Sequence, residues 1–407
     1  MGDSGENKAY MVLGYACNQK CLCCPCEKNQ KLNSIKDLQE LKEEVENMVE
    51  KGITDVTISG GEPTIYPNFF EIIKYIIEKN INIHILSNGE KFAEYDFANK
   101  FVDIAKGNNV TVTTTFHSYL AKEHELQNRK KGSFERSIKG LKFLDDNGIQ
   151  ISLKHCITRY NYKDLKNLIQ LFLDKFSKNA EIQIWGIDYC GVDKENANNY
   201  FVGFEEIKPY IEEALDYFEN ANIKKNRKQV ITLNNVPLCM CDCYYWNYYT
   251  LPDVNYYLDY MSDDGRNQLD FNYGPTSLNC KLCPFSKYCK GTYLSAFEMF
   301  GDDIVNKPSK EIAISNFKAP YVRYNSDNIN KMYFSIYDEF YLTPKGLTIL
   351  NRKTCLDINV RLSTDEITKL LEKFYKGIER NKAEELLIEL RQDKNILNEW
   401  LLKGIVE

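Results

Sequence analysis

Three cysteines, Cys17, Cys21 and Cys24, stand at C-x3-C-x2-C spacing in the stretch from Cys17 to Cys24, directly after the apolar run from Tyr10 to Tyr15. Thiolates are soft ligands that favour iron–sulfur clusters or zinc. Three of them on one tight loop can hold three corners of a cubane, which leaves one iron without a protein ligand and open to reaction. Cys23 and Cys26 crowd the same loop, but only Cys17, Cys21 and Cys24 give this spacing. A structural zinc loop is the other reading of such a segment.

A second thiol-rich region lies far downstream. Cys239, Cys241 and Cys243 follow Val236-Pro237-Leu238, and Cys280-Lys281-Leu282-Cys283 precedes Cys289-Lys290-Gly291. Two cysteines separated by two residues form a tight turn in which both thiolates face one metal, and Cys289 can close on it from the following loop. By spacing alone this is also a zinc ribbon. Of the 14 cysteines, those at 17 to 26, 239 to 243 and 280 to 289 cluster, which argues for metal rather than disulfides in a reducing compartment. Cys156, Cys190 and Cys355 stand alone and read as small buried hydrophobes.

The elements that must position these thiols alternate between β-type runs and helical patterns from residue 10 to about 235, the signature of βα units around a parallel sheet. Ser34 with Asp37 marks a helix start, and Ile35, Leu38, Leu41, Val45 and Met48 recur at helical spacing up to Gly52. The strand Val56 to Ile58 then runs into Gly60-Gly61-Glu62-Pro63. Adjacent glycines at the end of a parallel strand let backbone approach a ligand closely, and their carbonyls and Glu62 can accept hydrogen bonds from an ammonium group. Strand ends of this kind are where open α/β sheets and barrels bind ligands. Further strands are expected at Ile81 to Leu86, Val110 to Phe116, Ile149 to Thr158 and Ala180 to Ile187, with helices at Asn68 to Lys79 and from Ser133 to Asn147.

The cysteine triplet followed one βα unit later by Gly-Gly-Glu-Pro resembles the radical S-adenosylmethionine (radical SAM) family. The resemblance implies a partial (β/α)6 TIM-type barrel over residues 10–235. It also implies a 4Fe-4S cluster on Cys17, Cys21 and Cys24 whose open iron chelates SAM. Reductive cleavage of SAM then gives a 5'-deoxyadenosyl radical that takes a hydrogen atom from a substrate. The family has an aromatic residue just before its third cysteine, where this chain has Cys23. On the same analogy Gly60, Gly61, Glu62 and Pro63 contact the cofactor's amino group, and Ser87 and Asn88 form the polar end of the third strand. Thr115 or Ser118, together with Arg129, would hold the SAM carboxylate, with spacing that departs by a residue or two from the family pattern. A guanidinium suits a carboxylate because it pairs with it in a fixed fork.

Pro-Leu-Cys followed at a distance by C-x2-C-x5-C-x-G is similar to the auxiliary-cluster extension of radical SAM enzymes, the SPASM or shorter twitch domain. This implies one auxiliary 4Fe-4S cluster on Cys239, Cys280, Cys283 and Cys289, within a domain at 236–320. Cys241 and Cys243 are then surplus: replacement ligands for Cys239, part of a second cluster, or reactive thiols. Tyr293 stands where the full SPASM pattern has a further cysteine. Residues 321–407 read as a small α+β domain, with a hairpin turning at Asp338-Glu339 and three helices beginning at Ser363. They are loosely similar to winged-helix, PqqD-like peptide-recognition modules, and read equally as a capping domain without a partner.

A net charge of -6 carries no footprint for nucleic acid, and no run of 18 apolar residues suggests a membrane span. The polar start, Met1 to Lys8, lacks a signal peptide's layout, so the expected location is the cytoplasm. Basic runs such as Arg129-Lys130-Lys131 read as solvated surface, and His84 as a packed core residue, while His117 and His155 could move protons at the pocket. The function expected is modification of a peptide or protein substrate by a radical SAM enzyme, with an electron donor such as flavodoxin or ferredoxin. The alternatives are a radical SAM enzyme acting on a small metabolite, and a zinc-containing binding protein without redox chemistry.

Overall fold

The computed structural model describes residues 8–24, 26, 35–189, 192, 194–224, 229–241, 245, 248–249, 257–259, 273–274, 280, 289, 291–305, 331–332, 334, 338–343, 346–351, 356–375, 377–393 and 395–406. The chain divides into two compact units: residues 1–235 with 252–273 and 292–301, and residues 236–251 with 274–291 and 302–407.

Alternation of strand and helix in the first unit follows the hydrophobic periods of the sequence. Its elements are β1 (Lys8–Val12), α1 (Leu38–Glu50), β2 (Asp55–Ser59), α2 (Phe69–Glu78), β3 (Asn82–Leu86), α3 (Tyr95–Ala105), β4 (Val110–Thr115), α4 (Ala121–Asn128) and α5 (Ser133–Asp146). These are followed by β5 (Gln150–Cys156), α6 (Leu165–Lys175), β6 (Glu181–Trp185), α7 (Lys194–Tyr200), α8 (Phe204–Lys224) and β7 (Ile231–Asn234). Strands β1 to β7 pair in parallel, and β8 (Tyr257–Asp259) adds in parallel beside β1, giving the order β7-β6-β5-β4-β3-β2-β1-β8. Six βα units and a further short strand at Val230 to Leu233 are expected from the sequence; that strand, β7, continues the same sheet, so seven consecutive strands present their C-terminal ends along one edge. Buried Val56, Ile58, Ile83, Ile85, Val112, Leu153, Ile182 and Ile184 carry the β-branched and aliphatic core of the sheet.

Helix α1 starts later than Ser34 suggests. Its N-cap is Asp37, whose side chain accepts from Gln39 N at 2.8 Å, and Leu41, Val45 and Met48 form its buried face. An aromatic cluster joins α2 and α3 to the 3-10 turn Glu90–Ala93: Phe92 lies 4.9 Å from Phe101 and 5.6 Å from Phe97, ring centre to ring centre, and Phe69 lies 5.8 Å from Phe97. Burying each such ring contributes about 1.5–3 kcal/mol. The turn that carries Glu90 is thereby fixed. His84 on β3 is not core: its side chain is 46% exposed and stands 3.6 Å from Asp55, because Ile83 and Ile85 take the inward positions. The short strand β9 (Tyr273–Gly274) pairs with β10 (Thr292–Tyr293), and β10 and α9 (Leu294–Phe300) belong to the first unit.

In the second unit β11 (Lys331–Met332) precedes the antiparallel sheet β12 (Asp338–Thr343), β13 (Gly346–Asn351) and β14 (Leu356–Val360). Asp338 and Glu339 therefore lie within a strand rather than at a turn, and Asp338 is buried. The hairpin instead turns between Thr343 and Gly346, where glycine tolerates φ 141°. Helices α10 (Thr364–Tyr375), α11 (Arg380–Glu389) and α12 (Ile396–Leu402) follow, with β15 (Ile378–Glu379) pairing antiparallel to β11. Ser363 and Glu366 form a reciprocal capping box at the start of α10. Phe334, Phe374 and Trp400 pack with ring centres 4.8–5.8 Å apart at the centre of this part. Among the described residues, no helix is long and apolar enough to cross a membrane.

Candidate active site

The cysteine loop leaves β1 and is held from two sides. On one side Gly61 N donates to Gly14 O at 2.9 Å and Glu62 N to Ala16 O at 2.8 Å. A Cβ on Gly60 would sit 2.1 Å from Gly14 O, and one on Gly61 would sit 2.0 Å from Ala16 O. Only glycine permits backbone to lie on backbone here, and Gly60 also takes φ 127°. On the other side, Lys20 N donates to Asn128 O at 3.1 Å and Leu22 N to Gln127 O at 2.8 Å, so the end of α4 completes the clamp.

Two buried carboxylates lock this arrangement. Glu62 Oε1 accepts from Thr64 N, Thr64 Oγ1 and Ser87 Oγ at 3.1, 2.6 and 2.7 Å, and its Oε2 accepts from Asn88 N at 2.7 Å. Burial pushes its carboxyl above the usual carboxylate range, while these donors oppose the rise. The carboxylate is thus committed to the ends of β2 and β3, and the following Pro63 opens a buried 3-10 turn. Asn88 Nδ2 in turn donates to Asn18 Oδ1 at 2.6 Å, which binds the end of β3 to the cysteine loop.

Glu90 is the second carboxylate, 4% exposed. It accepts from Gln19 Nε2 at 2.8 Å, from Arg136 Nε at 2.7 Å and Nη2 at 2.6 Å, and pairs with Lys130 Nζ at 3.2 Å. Gln19 lies between two of the expected ligands, so this residue ties the loop to α5. Sequence reading missed both partners and took Lys130 for solvated surface; a glutamate following a strand and a glutamine within a loop carry no spacing signal.

Burial pushes the Cys17 thiol up to about 11, with Glu62 and Cys24 adding to the rise and the Gln19 N–H and Lys130 opposing it. Cys21 is held well above the usual thiol range by burial first, and then by Cys24, Cys23 and Cys17. The three spaced thiols thus lie within one another's electrostatic reach. Gln19 N donates to Cys17 Sγ at 3.4 Å, the kind of N–H to sulfur bond that tunes a cluster. Such a donor set fits an iron–sulfur cluster, because iron supplies the positive charge that lets a buried thiol lose its proton. Cys23 is pushed up to about 12 by burial and then by Cys156, which places it toward the end of β5.

The remaining residues proposed for SAM lie further along the same strand edge. Thr115 ends β4, and Ser118 is buried with its Oγ accepting from Leu120 N at 3.1 Å. Arg129 is exposed and caps α4 at φ 56°. His117, His124 and His155 form a buried polar group behind β4. His117 N donates to His124 Nδ1 at 3.2 Å, Asn161 Nδ2 donates to His117 O at 3.0 Å, and His155 Nδ1 lies 2.7 Å from Phe116 O. Burial pushes the three imidazoles down to about 3, 4 and 4 respectively, so they are neutral.

In the second unit Cys241 and Cys289 are buried, Cys280 is half-buried and Cys239 is exposed; Cys283 and Cys243 lie outside the described residues. Leu238 N and Gly291 N donate to Cys289 Sγ at 3.3 and 3.2 Å. Tyr249 is buried, donates to Pro237 O at 3.3 Å, and is held well above the usual phenol range by burial and then by Cys241, Cys239 and Cys289. Those three thiols therefore lie within electrostatic reach of the Tyr249 hydroxyl. Cys241, one of the surplus thiols that could replace Cys239 as a ligand, is buried where Cys239 is exposed.

A sequence profile of the Radical SAM superfamily matches residues 11–172, from within β1 to within α6. This part of the chain is a radical SAM domain. The family implies a 4Fe-4S cluster and SAM, and the profile takes in every residue proposed to hold them. The domain is similar to the antilisterial bacteriocin subtilosin biosynthesis protein AlbA of Bacillus subtilis, 24% identical over 43% of this chain and 40% of AlbA. It is also similar to the Fe-coproporphyrin III synthase of Methanosarcina barkeri, 22% identical over 54% of this chain and 53% of that protein. The match thus spans about half or less of these relatives. The fold is shared with Streptococcus suis SuiB, in the crystal structure bound to the precursor peptide SuiA, with a TM-score of 0.52 and 14% identity over 75% of this chain and 76% of SuiB.

Proposed function

We propose that the chain is a radical SAM enzyme that abstracts hydrogen from a peptide or protein, giving a crosslink, epimerisation or oxidation. The observation that carries the reaction class is the cysteine loop seated backbone to backbone on Gly60 and Gly61. When bound, the cluster supplies the electron that cleaves SAM, and the resulting 5'-deoxyadenosyl radical takes the hydrogen. Cys17, Cys21 and Cys24 would hold that cluster. Glu62, Ser87 and Asn88 fix the loop that carries it, and Gln19 with Glu90 fixes its outer side. Gly60 to Pro63 offers backbone to the SAM amino group, and Thr115, Ser118 and Arg129 are the candidates for its carboxylate. The similarity to a bacteriocin biosynthesis protein supports a peptide substrate. The similarity to an Fe-coproporphyrin III synthase favours a second reading, a small-metabolite substrate on the same domain.

Cys239, Cys280, Cys283 and Cys289 would hold one auxiliary cluster, with Cys241 beside them. The domain scheme proposed is a SAM-binding sheet domain at 10–235, a cluster-bearing segment at 236–320 and a small peptide-recognition domain at 321–407. The test is iron and acid-labile sulfide after anaerobic reconstitution, for the natural chain and for a variant with Cys17, Cys21 and Cys24 changed to Ala. Roughly eight irons falling to about four fits one cluster at each site. Zinc without sulfide would overturn the enzyme reading. Incubation with SAM, reductant and the peptide encoded beside the gene then decides the substrate: a change in the peptide's mass, connectivity or residue chirality supports the first reading, and no change in any of the three the second.

A further inference from the structure

Beside the cysteine loop lies a cavity of about 300 Å3, open to solvent, where Asn18 meets Glu90, Lys91, Glu94, Lys130, Arg136 and Lys139. Its four cations outnumber its two carboxylates, and the exposed Arg129 and Lys131 adjoin it in the chain. The chain as a whole carries a net charge of -6, so this face is a local reversal of the protein's own sign. It is also built rather than incidental. The buried Glu90 holds Arg136 and Lys130 in place and at the same time grips Gln19 of the loop, while Arg136 and Lys139 stand three residues apart on α5.

We propose that this basic face is the docking surface for an acidic electron-transfer protein of the flavodoxin or ferredoxin type. The proposal rests on the radical SAM reading, which requires an external one-electron reductant. An acidic donor approaching an acidic enzyme is repelled over most of the surface and is steered to the patch of opposite sign. Asn18 adjoins Cys17, so a donor seated in the cavity stands beside the loop that holds the cluster ligands. One electron passes from the donor's reduced flavin to the cluster, and the flavin is left as its semiquinone. No bond forms between the proteins. The patch supplies only association and orientation.

The test uses the full chain with Lys91→Glu and Lys139→Glu combined, and Lys106→Glu, an exposed site at the end of α3, as a control. Binding of a flavodoxin to the cluster-free chain is measured by interferometry. Reduction of the reconstituted protein by flavodoxin hydroquinone, by a reduced acidic ferredoxin and by dithionite is followed by stopped-flow absorbance. The double variant is expected to bind flavodoxin and accept its electron on the order of tenfold more slowly, with an association rate in the natural chain that falls as salt is added. Dithionite reduction and the control variant are expected to match the natural chain. Unchanged rates with both protein donors overturn the docking surface alone, as does an equal slowing with dithionite, which marks damage to the loop. A chain that takes up no iron and sulfide overturns the radical SAM reading and the docking surface together.

Discussion

Gln19 Nε2 and Glu90 Oε1 meet at 2.8 Å across 71 residues of chain, joining the cysteine loop to the turn after β3. The same carboxylate holds Arg136 and Lys130, so one buried group sets the loop, α5 and the α4–α5 connection against each other. Glu90→Ala leaves two cations and an amide without their acceptor. Because Arg136 and Lys130 keep part of their hydration, the expected loss is about 1–3 kcal/mol in a denaturant titration. Iron uptake at the first site is expected to fall with it. Unchanged stability and unchanged iron would show that Glu90 does not position the loop.

Gly61→Ala is expected to be far more damaging than its single methyl suggests. The new Cβ meets Ala16 O at 2.0 Å, and the obstacle is backbone that cannot rotate away. The loop must lift, so reconstituted protein should lose about four irons while keeping those of the second site. Gly52→Ala is the comparison: it has φ 67° but nothing within 4 Å, and should cost only about 1 kcal/mol with iron unaffected. Normal iron in the Gly61 variant would refute the clamp.

The buried histidines make the fold acid-sensitive. With His117, His124 and His155 pushed down to about 3, 4 and 4, the unfolded chain takes up protons near pH 6.5 while the folded chain does not. Their contribution is fully present above pH 6.5 and is lost as pH falls toward 3–4. Glu44 on α1 has the opposite sign. Burial pushes it up to about 7, so the stability it contributes is present below 4.5 and lost as pH rises through 7. Denaturant midpoints between pH 4 and 8 should show both slopes, with His155→Gln flattening the acid limb and Glu44→Gln the neutral one. Identical profiles for each variant and the natural chain would contradict these assignments.

Cys289 receives two backbone N–H donors, which suits a ligand thiolate. Cys289→Ser should therefore release about four irons from the second site and leave the first intact. Tyr249→Phe loses the hydroxyl's bonds to Pro237 O and Cys241 and should cost about 1–3 kcal/mol with iron retained. Iron lost equally in both variants would make Tyr249 part of the metal site.

Local sequence was sufficient for the elements whose periods are strong. The alternating aliphatic residues of β2 to β6 and the helical repeats of α1 and α2 announced themselves, since burial on one face requires that spacing. The cysteine triplet and Gly60 to Pro63 were legible because backbone-close and thiol-bearing loops admit few residue types. The hairpin turn was misplaced from Asp338-Glu339, because a buried acidic residue in a strand looks like turn chemistry until its partners are known.

Composition and spacing by themselves thus determined an α/β chain with a thiol loop at C-x3-C-x2-C spacing, a Gly-Gly-Glu-Pro strand end and a second thiol-rich region. Only the tertiary structure decided what holds the loop in place. Glu62 turns inward to Ser87 and Asn88, Gln19 reaches Glu90, Lys130 and Arg136 converge from different parts of the chain, and β7 and β8 join the sheet. The physical reason is the length scale. A ligand loop is a matter of neighbouring residues, whereas buried carboxylates find their donors across tens of residues, and no local pattern encodes those meetings.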